Sequence, residues 1–127
     1  MKIYVPGDSA AISVGADAVV RAISKARPGV TIVRNGSRGL FWLEPLVEVE
    51  TTLGRVAYGP VDPQVVDSLL ASGMLEGKPH ALCLCLTDEI PYLRKQERLT
   101  FARCGLTDPL SLGDYIDHGG FRGLKRA

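Results

Sequence analysis

Apolar and polar positions change period several times along this chain, and each change marks an element. Lys2-Ile3-Tyr4-Val5 is a short β-prone run closed by Pro6-Gly7, which predicts a first strand. Ile12, Ala16, Val19 and Ile23 then recur at helical spacing, with Ser9 as the expected N-cap. Lys25 and Arg27 sit near the helix end, where cations complement its dipole, and Pro28-Gly29 stops it. Val30 to Arg34 reads as a second strand. A strand, crossover helix and strand of this length make a βαβ unit, so the two strands are expected to be parallel.

Leu46 to Thr51 alternates apolar and acidic residues, and Arg55 to Tyr58 follows a Leu53-Gly54 turn. That pattern predicts an antiparallel hairpin closing the sheet. Asp62-Pro63 opens a second helix as N-cap and first helical residue. Val65, Val66, Leu69 and Leu70 form its buried stripe, Gly73 its C-cap, and Met74 packs behind. The resulting order is β-α-β-β-β-α, a mixed four-stranded sheet with flanking helices over residues 1–75. Residues 76–127 read as an irregular extension. Its charge run Arg94-Lys95-Gln96-Glu97-Arg98 is a solvated face, and its last element is a short helix capped by Ser111. Tyr115 and Ile116 are the expected apolar face of that helix, which ends at Gly119-Gly120.

Composition narrows the class without adding chemistry. The 127 residues suffice for one ordinary domain. Apolar content of 46%, charged content of 23% and a formal charge of +1 are globular values. They give no electrostatic reason for a nucleic acid or an anionic membrane as partner. No apolar run reaches membrane-spanning length, and no signal-peptide pattern opens the chain, so a cytoplasmic location is expected. Cys83, Cys85 and Cys104 are odd in number and lie among apolar neighbours, unlike a secreted disulfide framework.

Few constellations carry chemistry. Alternation through Ala81 to Leu86 places Cys83 and Cys85 on one face of a strand, either as buried small hydrophobes or as a dithiol. Two cysteines are too few for structural zinc, and His80 and His118 have no ligand spacing to them. Asp88 and Glu89 are adjacent and point differently on any regular element. There is no nucleophile–base pattern, phosphate loop or dinucleotide fingerprint, so no catalytic or metal-ligating residue is expected in this chain.

The loop Asn35-Gly36-Ser37-Arg38-Gly39-Leu40-Phe41 leads into Trp42-Leu43-Glu44-Pro45-Leu46-Val47. It resembles the second cysteine loop of the thioredoxin-like [2Fe-2S] ferredoxins, where Gly-Cys-x-Gly-x-Cys precedes a Pro-Leu-Val strand. Pro6 to Ala16 resembles the first loop of that family. The resemblance implies a thioredoxin-like fold. It also places Pro6, Ala11, Ser37 and Phe41 at the four thiolate positions. Clusters are held by thiolates, and proline, alanine and phenylalanine offer no ligand atom, so no [2Fe-2S] cluster is expected. Gly36 and Gly39 then serve backbone geometry, or form an anion-binding nest beside Arg38. Phe41 and Trp42 add apolar volume to the vacated site, as core or as a docking surface.

The segment Leu99 to Pro109, with Ser111, Asp114-Tyr115 and His118-Gly119-Gly120, resembles the start of the flavin-binding subunit of complex I and its relatives. Phe121 replaces the usual Tyr, and Gly123-Leu124 the usual Ala-Leu. Joined to a clusterless thioredoxin-like domain through Leu86 to Leu93, it is similar to the N-terminal region of the β subunit of NAD-dependent formate dehydrogenases. That resemblance implies a non-catalytic scaffold or subunit-docking domain at 1–75 and an entry segment at 76–127. It implies FMN, NAD and [4Fe-4S] sites beyond Ala127, with a molybdenum α subunit and a [2Fe-2S] γ subunit as partners. The parent subunit is then an oxidoreductase, although this chain alone is not. The alternatives are the equivalent domain of an NAD-reducing hydrogenase or complex I-like dehydrogenase, or a free-standing thiol redox protein using Cys83 and Cys85.

Overall fold

In the computed structural model, which describes residues 1–127, the strands are β1 (Lys2–Tyr4), β2 (Thr31–Val33), β3 (Val47–Thr51), β4 (Gly54–Tyr58) and β5 (Cys83–Leu86). The helices are α1 (Ser9–Ser13), α2 (Ala16–Ala26), α3 (Val66–Ala71), α4 (Pro91–Arg94) and α5 (Leu112–Asp117). The sheet runs in the order β2-β1-β3-β4-β5. β1 and β2 are parallel, as the crossover helix requires, and the other neighbours are antiparallel.

The expected element order is present, with one strand more than the four read from the sequence. The fifth, β5, comes from the segment assigned to the extension. Its run Cys83-Leu84-Cys85-Leu86 is the segment whose alternation already suggested a strand, and it pairs with β4 as an added edge of the sheet. The single N-terminal helix is divided into α1 and α2, because Val14 leaves helical geometry and Gly15 takes a φ of 104°. Such a φ suits glycine, which has no Cβ to clash. The cap is Asp8 rather than Ser9: its Oδ1 accepts from the backbone N–H of Ala10 at 3.0 Å and of Ala11 at 3.3 Å. The break turns Ile12 outward, 44% exposed, so Ala11 takes the buried position instead. The expected cap Asp62 starts a 3-10 turn, Pro63–Val65, that leads into α3, and it accepts from Gln64 N–H at 2.7 Å.

Alternate sheet residues face two apolar clusters. Ile3, Val5, Val47, Val49 and Tyr58 join Val19 and Ile23 of α2, Val66 and Leu69 of α3, and Met74 in the main core. The opposite face holds a smaller cluster of Leu40, Leu46, Ala57 and Ile90. That second face is covered by the loop from Asn35 to Leu46 and by the segment beyond β5, and it is where the functional questions concentrate. At the C-terminal end, Ser111 caps α5 by accepting from Asp114 N–H at 3.1 Å. Tyr115 and Ile116 do not bury an apolar face there: they are 44% and 45% exposed. No helix is long and apolar enough to cross a membrane.

Candidate functional site

The first of the two loops is anchored by an arginine. Arg34 donates from Nε to the Val5 carbonyl at 3.2 Å, from Nη2 to the Pro6 carbonyl at 3.1 Å, and pairs with Asp17 at 2.7 Å. Pro6 is buried, and Ala11 is completely buried in the main core. The loops adjoin, since Gly7 N–H donates to the Asn35 carbonyl at 2.9 Å.

In the second loop, Ser37 Oγ accepts from Gly39 N–H at 2.9 Å and donates to the Glu44 carboxylate. Glu44 is only 6% exposed, and its Oε2 has no partner. Burial pushes its pKa up; the Ser37 bond pulls it partly back, and the Asp8 charge adds to the rise. Asp8 Oδ2 is likewise buried without a partner. Phe41 and Trp42 are 63% and 60% exposed. Of the two roles open to them, core is therefore the wrong one. The Trp42 ring stands edge-on to Tyr92, with centroids 5.2 Å apart.

The chemistry of this donor set does not fit a [2Fe-2S] cluster. Pro6 and Ala11 have no ligand atom, Ser37 is committed to Glu44, and Phe41 offers a ring. Cys83 and Cys85 lie on β5. Cys104, distant in sequence, does come beside Ser37 and Phe41 on the wall of one cavity, but a single thiol cannot replace four. No group of three or more His, Cys, Asp or Glu is placed to hold a metal ion.

Behind the second loop lies a feature that sequence reasoning missed. Glu48 is 1% exposed, because the loop and the segment beyond β5 cover its face of the sheet. Arg38 grips it bidentately, Nε to Oε1 at 2.6 Å and Nη2 to Oε2 at 2.9 Å. Burial opposes the Arg38 charge, yet the Glu48 bonds outweigh it and hold the guanidinium pKa above its usual value. Arg38 is thus committed to Glu48, which counts against a role in an anion nest.

Arg55 completes the cluster. It lies 3.5 Å from Glu48 Oε2, and its guanidinium carbon sits 3.3 Å from the Tyr4 ring centroid. It also donates to the carbonyls of Gly105 at 2.8 Å and Leu106 at 2.9 Å. Asn35 Nδ2 donates to the same Gly105 carbonyl at 2.8 Å, and Arg98 Nη2 to the Arg38 carbonyl at 2.8 Å. This buried polar cluster therefore fastens residues 98–106 onto the sheet.

The remaining candidates do not converge. Between β4 and β5 the register shifts, pairing Val56 with Leu86 and Tyr58 with Cys83. The irregularity separates the thiols: Cys83 packs against the main core and Cys85 against the smaller cluster, not on one shared face. Burial also pushes the Cys85 thiol pKa up, with Cys83 and Glu89 adding to the rise. His80 accepts from Leu82 N–H at 3.1 Å and lies 3.2 Å from Ser68 Oγ, whereas His118 lies against the Asp114 carbonyl. Asp88 is 3.8 Å from Arg38 and open to solvent, while Glu89 pairs with Arg94 at 3.2 Å.

A βαβ unit followed by an antiparallel hairpin and a helix, on a mixed sheet, defines the thioredoxin-like class of fold. No protein-family profile matches the chain, and neither does any curated protein. Solved structures do match. A thioredoxin-like [2Fe-2S] ferredoxin from Aquifex aeolicus superposes with a TM-score of 0.50 at 20% identity, covering 65% of this chain and 87% of that one. Its Cys55Ser variant gives 0.49 at 21% identity, covering 65% and 96%. At these identities the likeness is one of fold.

Proposed function

We propose that this chain is a non-catalytic scaffold and subunit-docking domain, and that its parent is the β subunit of an NAD-dependent formate dehydrogenase. The observation that carries the reading is the pairing of a thioredoxin-like fold with four positions, Pro6, Ala11, Ser37 and Phe41, that together offer at most one weak oxygen ligand and so cannot hold a cluster. The electron path then runs through other parts of the enzyme, and the two loops survive as structure. The covered second face of the sheet supports the same reading. A buried ion cluster is spent on holding residues 98–106 in place, and those are the residues that resemble the entry to a flavin domain.

On this reading, FMN, NAD and [4Fe-4S] centres belong to the rest of the parent subunit, and the partners are its molybdenum α subunit and [2Fe-2S] γ subunit. The test has two arms. After anaerobic reconstitution with iron and sulfide, the purified chain should show no visible charge-transfer bands; stoichiometric iron with such bands would end the scaffold reading. Tagged chain co-expressed with the molybdenum and [2Fe-2S] subunits should co-purify with them, and failure to do so when both subunits are folded and no intact β subunit competes would remove the docking role.

A further inference from the structure

Residues 95–127 add no side chain to either apolar cluster; along the chain, the last residue packed against one is Leu93. Between Lys95 and Leu106 the buried position is Gly105, which has no side chain to bury. Arg98 and Leu106 are half-buried, and the rest of that stretch is exposed. Its large apolar side chains, Leu99 and Phe101, are 84% and 65% exposed, and a cavity of about 790 Å³ lies between the stretch and the second loop. No ion pair reaches past Arg94, and no backbone–backbone bond joins residues 95–127 to the sheet or to either loop. What holds the stretch is a set of side-chain bonds to carbonyls. Arg55 donates to Gly105 at 2.8 Å and Leu106 at 2.9 Å, Asn35 donates to Gly105 at 2.8 Å, and Arg98 donates back to Arg38 at 2.8 Å. Asn35 is 1% exposed, and its Oδ1 has no partner while its Nδ2 holds Gly105.

We infer that residues 95–106 form a strap that opens as a unit while the sheet and both apolar clusters stay folded. Apolar burial is the dominant force holding a fold together, and a stretch that contributes none to the core opens well below the global unfolding free energy. The hinge lies just after Leu93, which stays packed against the smaller cluster. Inside the strap, Ala102 N–H donates to the Leu99 carbonyl at 3.3 Å, Cys104 to Phe101 at 3.0 Å, and Leu106 to Arg103 at 3.0 Å. Single turns of this kind do not persist once detached, so all three bonds are lost together on opening. Opening also lets water reach the Asn35 amide, which relieves its unpartnered oxygen and offsets part of the lost bonding. The open state uncovers Arg55 and the Arg38–Glu48 pair, so the strap switches the second face of the sheet between a covered and an uncovered form. This device belongs to the chain itself and does not depend on the parent enzyme proposed above.

The test is hydrogen exchange on the ¹⁵N-labelled full chain, followed amide by amide at rising urea below the unfolding transition. Relative to their unstructured rates, the amides of Ala102, Cys104 and Leu106 should exchange at least about tenfold faster than those of β3. Their exchange should be nearly independent of urea, because strap opening exposes little surface, whereas β3 exchange should rise steeply. Arg55→Lys keeps the charge beside Glu48 but loses the two-pronged grip, and should speed strap exchange about tenfold; Arg98→Ala should speed it about threefold. The double change Leu99→Ser with Phe101→Ser should leave strap exchange within about twofold, since neither side chain holds it. Strap amides that follow the steep urea slope of β3 would make the strap part of the global folding unit and overturn the inference. So would strap amides that exchange at unstructured rates in the wild type, which would mean that the strap does not close. Indifference to both arginine changes, or a tenfold rise from the Leu99 and Phe101 change, would place the anchor elsewhere and overturn it as well.

Discussion

Replacing Glu48 by Gln should be among the most damaging single changes in this protein, although the side chain keeps its shape. Glu48 is 1% exposed and is the only carboxylate buried with Arg38. After Glu48→Gln, the Arg38 side chain, 7% exposed, has only Asp88 at 3.8 Å, and that side chain is 90% exposed and screened by water. Removing one partner of a buried ion pair typically costs about 3–5 kcal/mol, because the other charge stays desolvated and uncompensated. Gln still offers one carbonyl acceptor, and Arg55 keeps the Gly105 and Leu106 carbonyls, which places the expected loss near about 3 kcal/mol. Against a total stability of about 5–15 kcal/mol this is a large fraction. Urea unfolding should be followed by far-UV circular dichroism rather than tryptophan emission, since Trp42 is already 60% exposed in the native state. The midpoint should fall with an unchanged slope. The double change Arg38→Met with Glu48→Leu should recover part of the loss, because it removes the Arg38–Glu48 pair together, while Arg55 keeps the Gly105 and Leu106 carbonyls. A single-variant loss below about 1 kcal/mol would show that the pair is solvated, and would refute the account of how residues 98–106 are held.

Other perturbations follow from the same geometry. Gly105 has a φ of +83°, and a Cβ there would fall on the Arg38 side chain; Gly105→Ala should cost about 2 kcal/mol or more in the same urea assay, and a neutral result would contradict the packing. The Glu44 carboxyl is held above its unfolded pKa, so its contribution is complete in acid and disappears as pH rises through its folded pKa. The wild type should therefore lose stability relative to Glu44→Gln as pH climbs from the usual carboxylate range, and parallel pH profiles would refute this. Tyr58 donates its hydroxyl to the Lys78 carbonyl at 2.8 Å, and burial pushes its pKa up to about 12; Tyr58→Phe should cost about 1 kcal/mol, and its phenol should be the last to ionise in an alkaline absorbance titration. Cys104 is exposed while burial raises the Cys85 pKa, so iodoacetamide should modify Cys104 first; equal rates would contradict the assignment.

The local signals in the sequence translated well wherever one interaction decides the outcome. Asp62-Pro63 and Ser111 start helices because a side-chain oxygen meets a free N–H a few residues on, and Gly73 ends one at a φ of 87°. Where two neighbours compete for the same task, spacing could not choose. Asp8 and Ser9 are both good caps, and the break at Gly15 selected Asp8 and sent Ile12 to solvent. The burial of Glu48 was missed for a different reason. Alternation across Leu46 to Thr51 correctly gave a strand and its two faces, but it cannot say whether a long loop returns to cover the polar one. That knowledge depends on contacts between Arg38, Glu48, Arg55 and Gly105, which span more than sixty positions of chain and leave no local pattern.

The two loops are held in place by the chain's own hydrogen bonds and ion pairs. The first is tied by Arg34 to the carbonyls of Val5 and Pro6 and by Asp8 to the start of α1. The second is tied by Ser37 to Gly39 and Glu44, and by Arg38 to Glu48. None of these bonds uses a metal, so the loops need no cluster to keep their shape. The residues of the two loops also differ in burial. Pro6 and Ala11 are buried, while Phe41 holds its ring in solvent.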